Sequence, residues 1–378
     1  MRSVRLGSAS SLSDAVQAYR DALLAREEFP ANEGFQQRTA RIERADAAVD
    51  HEAALLGKLL LPVPLPAAIH RLVIVPDGEL ASVPFPALRR SSGDYLIQHY
   101  EIVEEPSASV AMDLLARPAP APGQDRIAVF ADPVYNTFDP RLAAAEHRAQ
   151  ALRAAAAPAL QPEVLRADFD LNLSELPRLN ASSLEARAIV AIAGAARVSS
   201  YLGFQATPQR AMNLPWRDFA VAHFATHAIV DSAHPELSGI VLSTLNADGV
   251  QQDGVLWLHD IYRTPMPVSL VVLSGCRTAS GKSIPGEGIS GLAQAFLSSG
   301  ASGVIGALWS VDDRAAGEMI PWFYRALLER RLSIAGALRA AQLRMLALHR
   351  PPYDWAGYVV EGNAGATIAP SLSSSAKP

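Results

Sequence analysis

Val268-Ser-Leu-Val-Val-Leu-Ser-Gly-Cys276 is an apolar run of strand length that ends on a glycine and the only cysteine of the chain. A second such run, Phe219-Ala-Val-Ala-His-Phe-Ala-Thr-His227, ends on a histidine 49 residues earlier. Neither run alternates polar with apolar residues. Continuous β-branched and aliphatic runs of this length read as strands covered on both faces, the pattern of a parallel sheet. In an open parallel sheet, reactive groups collect beyond the carboxyl ends of the strands. If these two strands are neighbours, His227 and Cys276 meet at one edge, which is what a Cys–His hydrolase needs. Taken singly, a cysteine after an apolar run is more often a small buried hydrophobe. It is the paired strand ends, together with Gly275, Gly281, Gly286 and Gly288 around the cysteine, that point to chemistry.

Working outward, the sequence predicts alternating strands and helices. Strands are expected at Arg71–Val75, Tyr100–Val103, Arg126–Phe130, Val198–Leu202, Gly303–Trp309 and Tyr358–Val360. Helices are expected at Ser107–Ala116, Leu142–Ala156, Ser183–Ala193, Ile289–Ser298, Ala315–Arg330 and Ser333–Leu348. That alternation gives an α/β fold with a mostly parallel sheet between helical layers. The first sixty residues read as a helical hairpin, with Ser11 or Ser13 capping its first helix and Phe35–Leu60 forming its second. Pro118–Gly123 reads as a linker, and residues 139–180 carry so little periodicity that a mobile segment is expected.

Composition removes several classes of function. The chain has 378 residues, 49% of them hydrophobic and 19% charged, enough for a substantial core in one or two domains. A net charge of −5 leaves no basic footprint for nucleic acid or an acidic membrane. Leu55–Val75 is broken by Lys58, three prolines, His70 and Arg71, so no membrane span is expected. One cysteine makes neither an intramolecular disulfide nor a cysteine-based metal cluster. With no apolar run in Met1–Ser11, a cytoplasmic protein is expected. Arginine far exceeds lysine, the bias of a GC-rich, bacterial genome.

No metal is expected. His223 and His227 are four residues apart on a strand, roughly 13 Å at ~3.3 Å per residue, too far to share an ion. His223 therefore reads as a buried structural residue, and His234 and His259 receive no role. A Gly-x-Ser-x-Gly elbow is absent, and Gly286-Glu-Gly288 lacks a Walker lysine, so no nucleotide cofactor is expected either.

At these same residues the sequence resembles the CHAT family, caspase-like cysteine peptidases of clan CD that are often fused to tetratricopeptide repeats. The matching segments are His223-Phe-Ala-Thr-His227, Pro235-Glu-Leu-Ser-Gly-Ile-Val-Leu242, Leu270-Val-Val-Leu-Ser-Gly-Cys276, Gly286-Glu-Gly288 and Gly306-Ala-Leu-Trp-Ser-Val-Asp-Asp313. Upstream, Arg71-Leu-Val-Ile-Val-Pro-Asp-Gly78, Pro84-Phe85, Tyr95-Leu96, Pro106-Ser-Ala-Ser109 and Asp132-Pro-Val-Tyr135 match too, so the resemblance runs from about residue 50 to about 365. It implies a caspase-like three-layer α/β/α sandwich. Its parts would be a helical hairpin (1–60), an inactive protease lobe (61–180), an active lobe (181–365) and a disordered Ser-rich tail (366–378).

The resemblance also implies an endopeptidase with Cys276 as nucleophile and His227 as its dyad partner, needing no cofactor. The backbone amides of Ala228 and Cys276 would form the oxyanion hole, Ala228 standing where the family usually has glycine. Gly275 and Arg277 replace the family's usual alanine and glutamate, a departure that bears on specificity. Asp313, with Asp312, would favour a basic P1 side chain; the competing role for either is to cap the helix that starts near Ala315. A protein substrate and an activating protein partner are expected, in bacterial defence or regulated cell death. The alternatives are a catalytically silent caspase-like scaffold and an interaction module built on the hairpin.

Overall fold

A computed structural model describes residues 4, 6–27, 33–63, 65–66, 68–116, 125–142, 173, 176–231, 234–275, 287–309 and 311–368. The longer helices are α1 (Ala9–Leu24), α2 (Phe35–Leu60), α3 (Ala108–Ala116), α4 (Asn180–Ala193), α5 (Glu287–Ser298), α6 (Asp313–Tyr324) and α7 (Ile334–Ala347). The strands are β1 (Arg71–Ile74), β2 (Glu101–Glu104), β3 (Arg126–Ala131), β4 (Val198–Leu202), β5 (Phe219–Ala225), β6 (His227–Ile229), β7 (Gly239–Val241), β8 (Val255–Trp257), β9 (Leu270–Leu273), β10 (Gly303–Ala307) and β11 (Tyr358–Gly362). The helix expected around Leu142–Ala156, the Pro118–Gly123 linker, most of the 139–180 segment, the tail beyond 368 and Cys276 itself lie outside the described residues.

Eight strands form one sheet in the order β1-β2-β11-β10-β9-β5-β3-β4, and β6-β7-β8 form a small antiparallel one. In the large sheet every neighbouring pair is parallel except β10–β11. The sheet is therefore two parallel blocks pointing opposite ways: β1, β2 and β11 in one, and β10, β9, β5, β3 and β4 in the other. β3 comes from the segment before residue 180, yet it sits between β4 and β5. The two blocks join where β10 meets β11, antiparallel from Gly303 opposite Gly362 to Ala307 opposite Tyr358, while within the three-strand block β2 meets β11 at Glu104 opposite Glu361.

Alternation along β5 shows the three layers. The His223 ring faces Tyr324 at the end of α6, while the adjacent Phe224 ring meets Phe296 of α5 on the other side. Every residue of β5, β9 and β10 is buried, as their uninterrupted apolar character predicts.

The hairpin packs into the same core. Tyr19, Leu23, Ala53 and Leu56 are buried, which gives an isolated helix pair the partner surface it lacks. Gly57 makes this possible: a Cβ there would lie 2.0 Å from the Arg89 carbonyl oxygen. The Ala53 carbonyl accepts the Arg89 N–H at 3.2 Å. The first helix starts earlier than the Ser11 or Ser13 caps expected from sequence, because Ser8 Oγ accepts the Ser11 N–H at 3.2 Å and caps it instead.

Candidate active site

In chain order, the five-strand block is laid out as second, first, third, fourth, fifth: β4, β3, β5, β9, β10. Its topological switch point lies between β3 and β5, and clefts open at carboxyl ends beside such points. β3 there leads into Asp132 and β5 into His227, and β9, next to β5, leads towards position 276. β5 and β9 are in register from Val221 opposite Leu270 to Phe224 opposite Leu273. The pairing runs one step further, with the Ser274 N–H donating to the Phe224 carbonyl at 3.0 Å. Gly275 then packs directly on Thr226, where a Cβ would fall 2.7 Å from the Thr226 carbonyl oxygen. Only glycine permits this approach, so the residue that replaces the family's alanine is demanded by the packing of the two strand ends.

His227 is fully buried. Its Nε2 lies 2.7 Å from the Pro177 carbonyl oxygen, and its ring leans on Tyr135 with centroids 5.0 Å apart. A carbonyl accepts only, so this contact puts the ring proton on Nε2 and the lone pair on Nδ1. Burial pushes the Tyr135 phenol far above its ordinary range, so it stays protonated beside the imidazole. Ala228 follows in β6, opposite Ile240 of β7.

A cavity of about 590 Å³ opens beside these strand ends, lined by Ala225, Ser274 and Gly275 at its base. Its walls carry Glu185, Asp312, Asp313 and Asp354, together with Arg26, Arg38 and Arg178. Asp312 caps α6, its Oδ1 accepting the N–H groups of Arg314 and Ala315 at 2.9 and 3.2 Å. Asp313 Oδ2 accepts the Ala181 N–H at 2.7 Å, which ties α6 to the start of α4. Burial raises the Asp313 carboxyl above its ordinary value, opposed by that hydrogen bond. Asp354 is pushed up to about 6 by burial, against the pull of Arg26 and Arg350.

Three features escape the sequence reading. The Pro177 carbonyl is backbone and leaves no side-chain signal. Arg178 forms a two-pronged bond to Asp132, both contacts at 2.7 Å, which pins the Pro177–Leu179 segment against the end of β3. Glu185 sits 2.6 Å from His223 Nε2, inside the protein. Its signal was present, as one acid on the apolar face Ser182-Glu185-Ala186-Ile189-Ala193 of α4. His223 is buried as expected, and its partner is this acid. Among the described residues, no group of three or more His, Cys, Asp or Glu side chains could hold a metal ion, and no helix is long and apolar enough to cross a membrane.

The sequence model of the CHAT domain matches residues 50–363. Over 120 residues the chain is 32% identical to mouse Tetratricopeptide repeat protein 28, an alignment that takes in 31% of this chain and 5% of that protein. It thus spans a small fraction of that relative's length. Among solved structures, it is similar to the Saccharomyces cerevisiae separase–securin complex, with 11% identity, a TM-score of 0.42, and coverage of 94% of this chain and 23% of that one. It is also similar to the Arg-specific cysteine proteinase gingipain R, with 8% identity, a TM-score of 0.47, and coverage of 95% and 75%.

Proposed function

Since the chain belongs to the CHAT domain family, we propose that it is a cysteine endopeptidase working through Cys276 and His227. The observation that carries this reading is the in-register pairing of β5 with β9, closed by Gly275 against Thr226, which brings the residues just before both positions to one edge. In the proposed reaction His227 takes the thiol proton, and Cys276 Sγ attacks the scissile carbonyl carbon. The oxyanion that forms is met by the backbone amides of Ala228 and Cys276. The C–N bond then breaks as His227 returns the proton to the leaving amine, leaving a thioester. Water gives a proton to His227, attacks the thioester, and releases the acid and the thiol. The Pro177 carbonyl holds the imidazole in the tautomer this sequence needs.

The cavity beside Gly275, whose walls carry four carboxylates against three arginines, supports a basic P1 residue. Asp312 is committed to the α6 cap, so of the two aspartates Asp313 is the better placed to read P1. Asp313→Ala should reduce the preference for Arg over neutral P1 residues. The substrate would be a protein, and a protein partner would activate the latent enzyme, in a cytoplasmic defence or cell-death pathway. The β2–β11 junction would be the seam between an inactive and an active lobe.

Labelling with an irreversible peptidyl ketone bearing P1 Arg tests the reading. Wild type should be modified at Cys276 and His227→Ala far more slowly, as read by peptide mass spectrometry. No labelling with any candidate activator present would favour the scaffold reading, which the match to a protein named for its tetratricopeptide repeats supports.

A further inference from the structure

Of the four carboxylates around the cavity, three have protein partners suited to other tasks. Asp312 caps a helix, Asp313 holds the start of α4, and Asp354 faces Arg26 and Arg350. Glu185 differs. It projects from the buried face of α4, and its neighbour is the ring of His223, with Oε1 2.6 Å from Nε2. The Tyr324 hydroxyl lies 3.1 Å from Nδ1 of the same ring. Burial and the nearby Glu185 charge hold the Tyr324 phenol well above its ordinary range, so it keeps its proton. A carboxylate only accepts, so the ring proton belongs on Nε2, which lies 2.6 Å from Glu185 Oε1 and 3.5 Å from Ser274 Oγ, and the Tyr324 hydroxyl donates to Nδ1. Glu185 thus packs against a ring that β5 supplies and α6 braces, and its Oε1 is buried with no hydrogen-bond partner among the described residues. A carboxylate has about four acceptor sites, so Glu185 keeps acceptor capacity for a cationic ligand.

The position matters as much as the charge. Glu185 shares the cavity wall with Ser274 and Gly275, the residues immediately before the proposed nucleophile. The cavity therefore opens beside the end of β9 that leads towards the proposed nucleophile. We infer that Glu185 is the specificity-determining carboxylate of this cavity, accepting hydrogen bonds from the guanidinium of a P1 arginine while His223 and Tyr324 fix its orientation. The inference rests on the basic-P1 reading above and changes which acid does the reading. Asp313, tied to Ala181, adds negative potential from the α6 side.

The test uses two readouts on the full chain: binding of agmatine by calorimetry, and cleavage of paired fluorogenic peptides with Arg or citrulline at P1. In Glu185→Gln, agmatine affinity and the Arg-to-citrulline ratio in kcat/KM should both fall about 10- to 100-fold, the worth of a charge-assisted hydrogen bond. Asp313→Asn should lower them by less. Glu185→Asp keeps the charge but withdraws it by one methylene, so it should shift the P1 preference from arginine towards homoarginine. A purely structural role for Glu185 would not produce that shift. Wild-type affinity and ratio in a folded Glu185→Gln, or an unshifted length preference in Glu185→Asp, would overturn the assignment while leaving the basic-P1 reading standing. A wild-type protein that neither binds agmatine nor prefers Arg would overturn both.

Discussion

Two places in this molecule bury glutamate at the carboxyl ends of parallel strands, and they solve the problem in opposite ways. In the five-strand block, Glu185 packs against His223 near the end of β5. In the three-strand block, Glu104 closes β2 directly opposite Glu361 of β11, and Glu105 follows it. The blocks point in opposite directions, so the two acid sites lie at opposite edges of the sheet. Both are buried. At one, the acid lies 2.6 Å from a histidine nitrogen, and the other nitrogen of that ring meets a tyrosine hydroxyl at 3.1 Å. At the other, acid faces acid, Glu104 opposite Glu361. The same side chain at similar burial thus sits beside a basic ring in one place and beside another acid in the other.

Replacing each acid by an isosteric apolar residue separates the two cases most sharply. Glu185→Leu strands the His223 donor in the core, and breaking a buried pair from one side should cost about 3 kcal/mol. Glu104→Leu removes half of a repelling pair, and should be neutral or stabilising. Urea unfolding of both variants at pH 7 measures the contrast. Equal losses would mean that the β2–β11 acids have partners as strong as those of Glu185.

The pH dependence of stability gives the next largest effect. Burial, then the Glu361 charge, raises the Glu104 carboxyl well above its ordinary value. Burial lifts Glu105 from 4.5 to about 7, against a hydrogen bond from the Gly362 amide. Raised carboxyls hold more protons folded than unfolded, so their contribution is complete below about pH 4.5 and is lost as pH rises through about 7. Stability should therefore decline from pH 5 to pH 7.5, and Glu104→Gln with Glu105→Gln should flatten that decline. A wild-type curve that rises over this window would show the acids to be charged when folded.

What the sequence made legible follows the same division. His227, the β5 and β9 strands and the helical hairpin could be read because each shows itself as a side-chain pattern: an apolar run, a strand-end residue, a helical spacing. The reversal between the two blocks could not, since no residue type marks a strand as antiparallel to its neighbour. The same holds for the insertion of β3 between β4 and β5, which depends on distant pairing. Pro177 offers only a carbonyl, and its partnership with His227 depends on Arg178 reaching Asp132 across the fold. Glu185 lay between these cases. An acid on an apolar helix face flags a buried partner, but only the structure gives the partner as His223.

Smaller effects should come from the hydroxyl and the backbone donors that brace the His223 ring and the cavity wall. Tyr324→Phe removes the donor to His223 Nδ1 without removing the ring, and should cost about 1 kcal/mol. At the rim, Asp312 has backbone partners alone: two N–H groups of the first turn of α6. A cap of this kind is worth about 1 kcal/mol against alanine, and asparagine serves nearly as well. Thermal unfolding should therefore show Asp312→Ala lowered and Asp312→Asn close to wild type. If the asparagine variant falls as far as alanine, then the charge of Asp312, rather than its acceptor oxygen, is what the site uses. Asp312 would then belong with Glu185 among the acids placed for a cationic ligand.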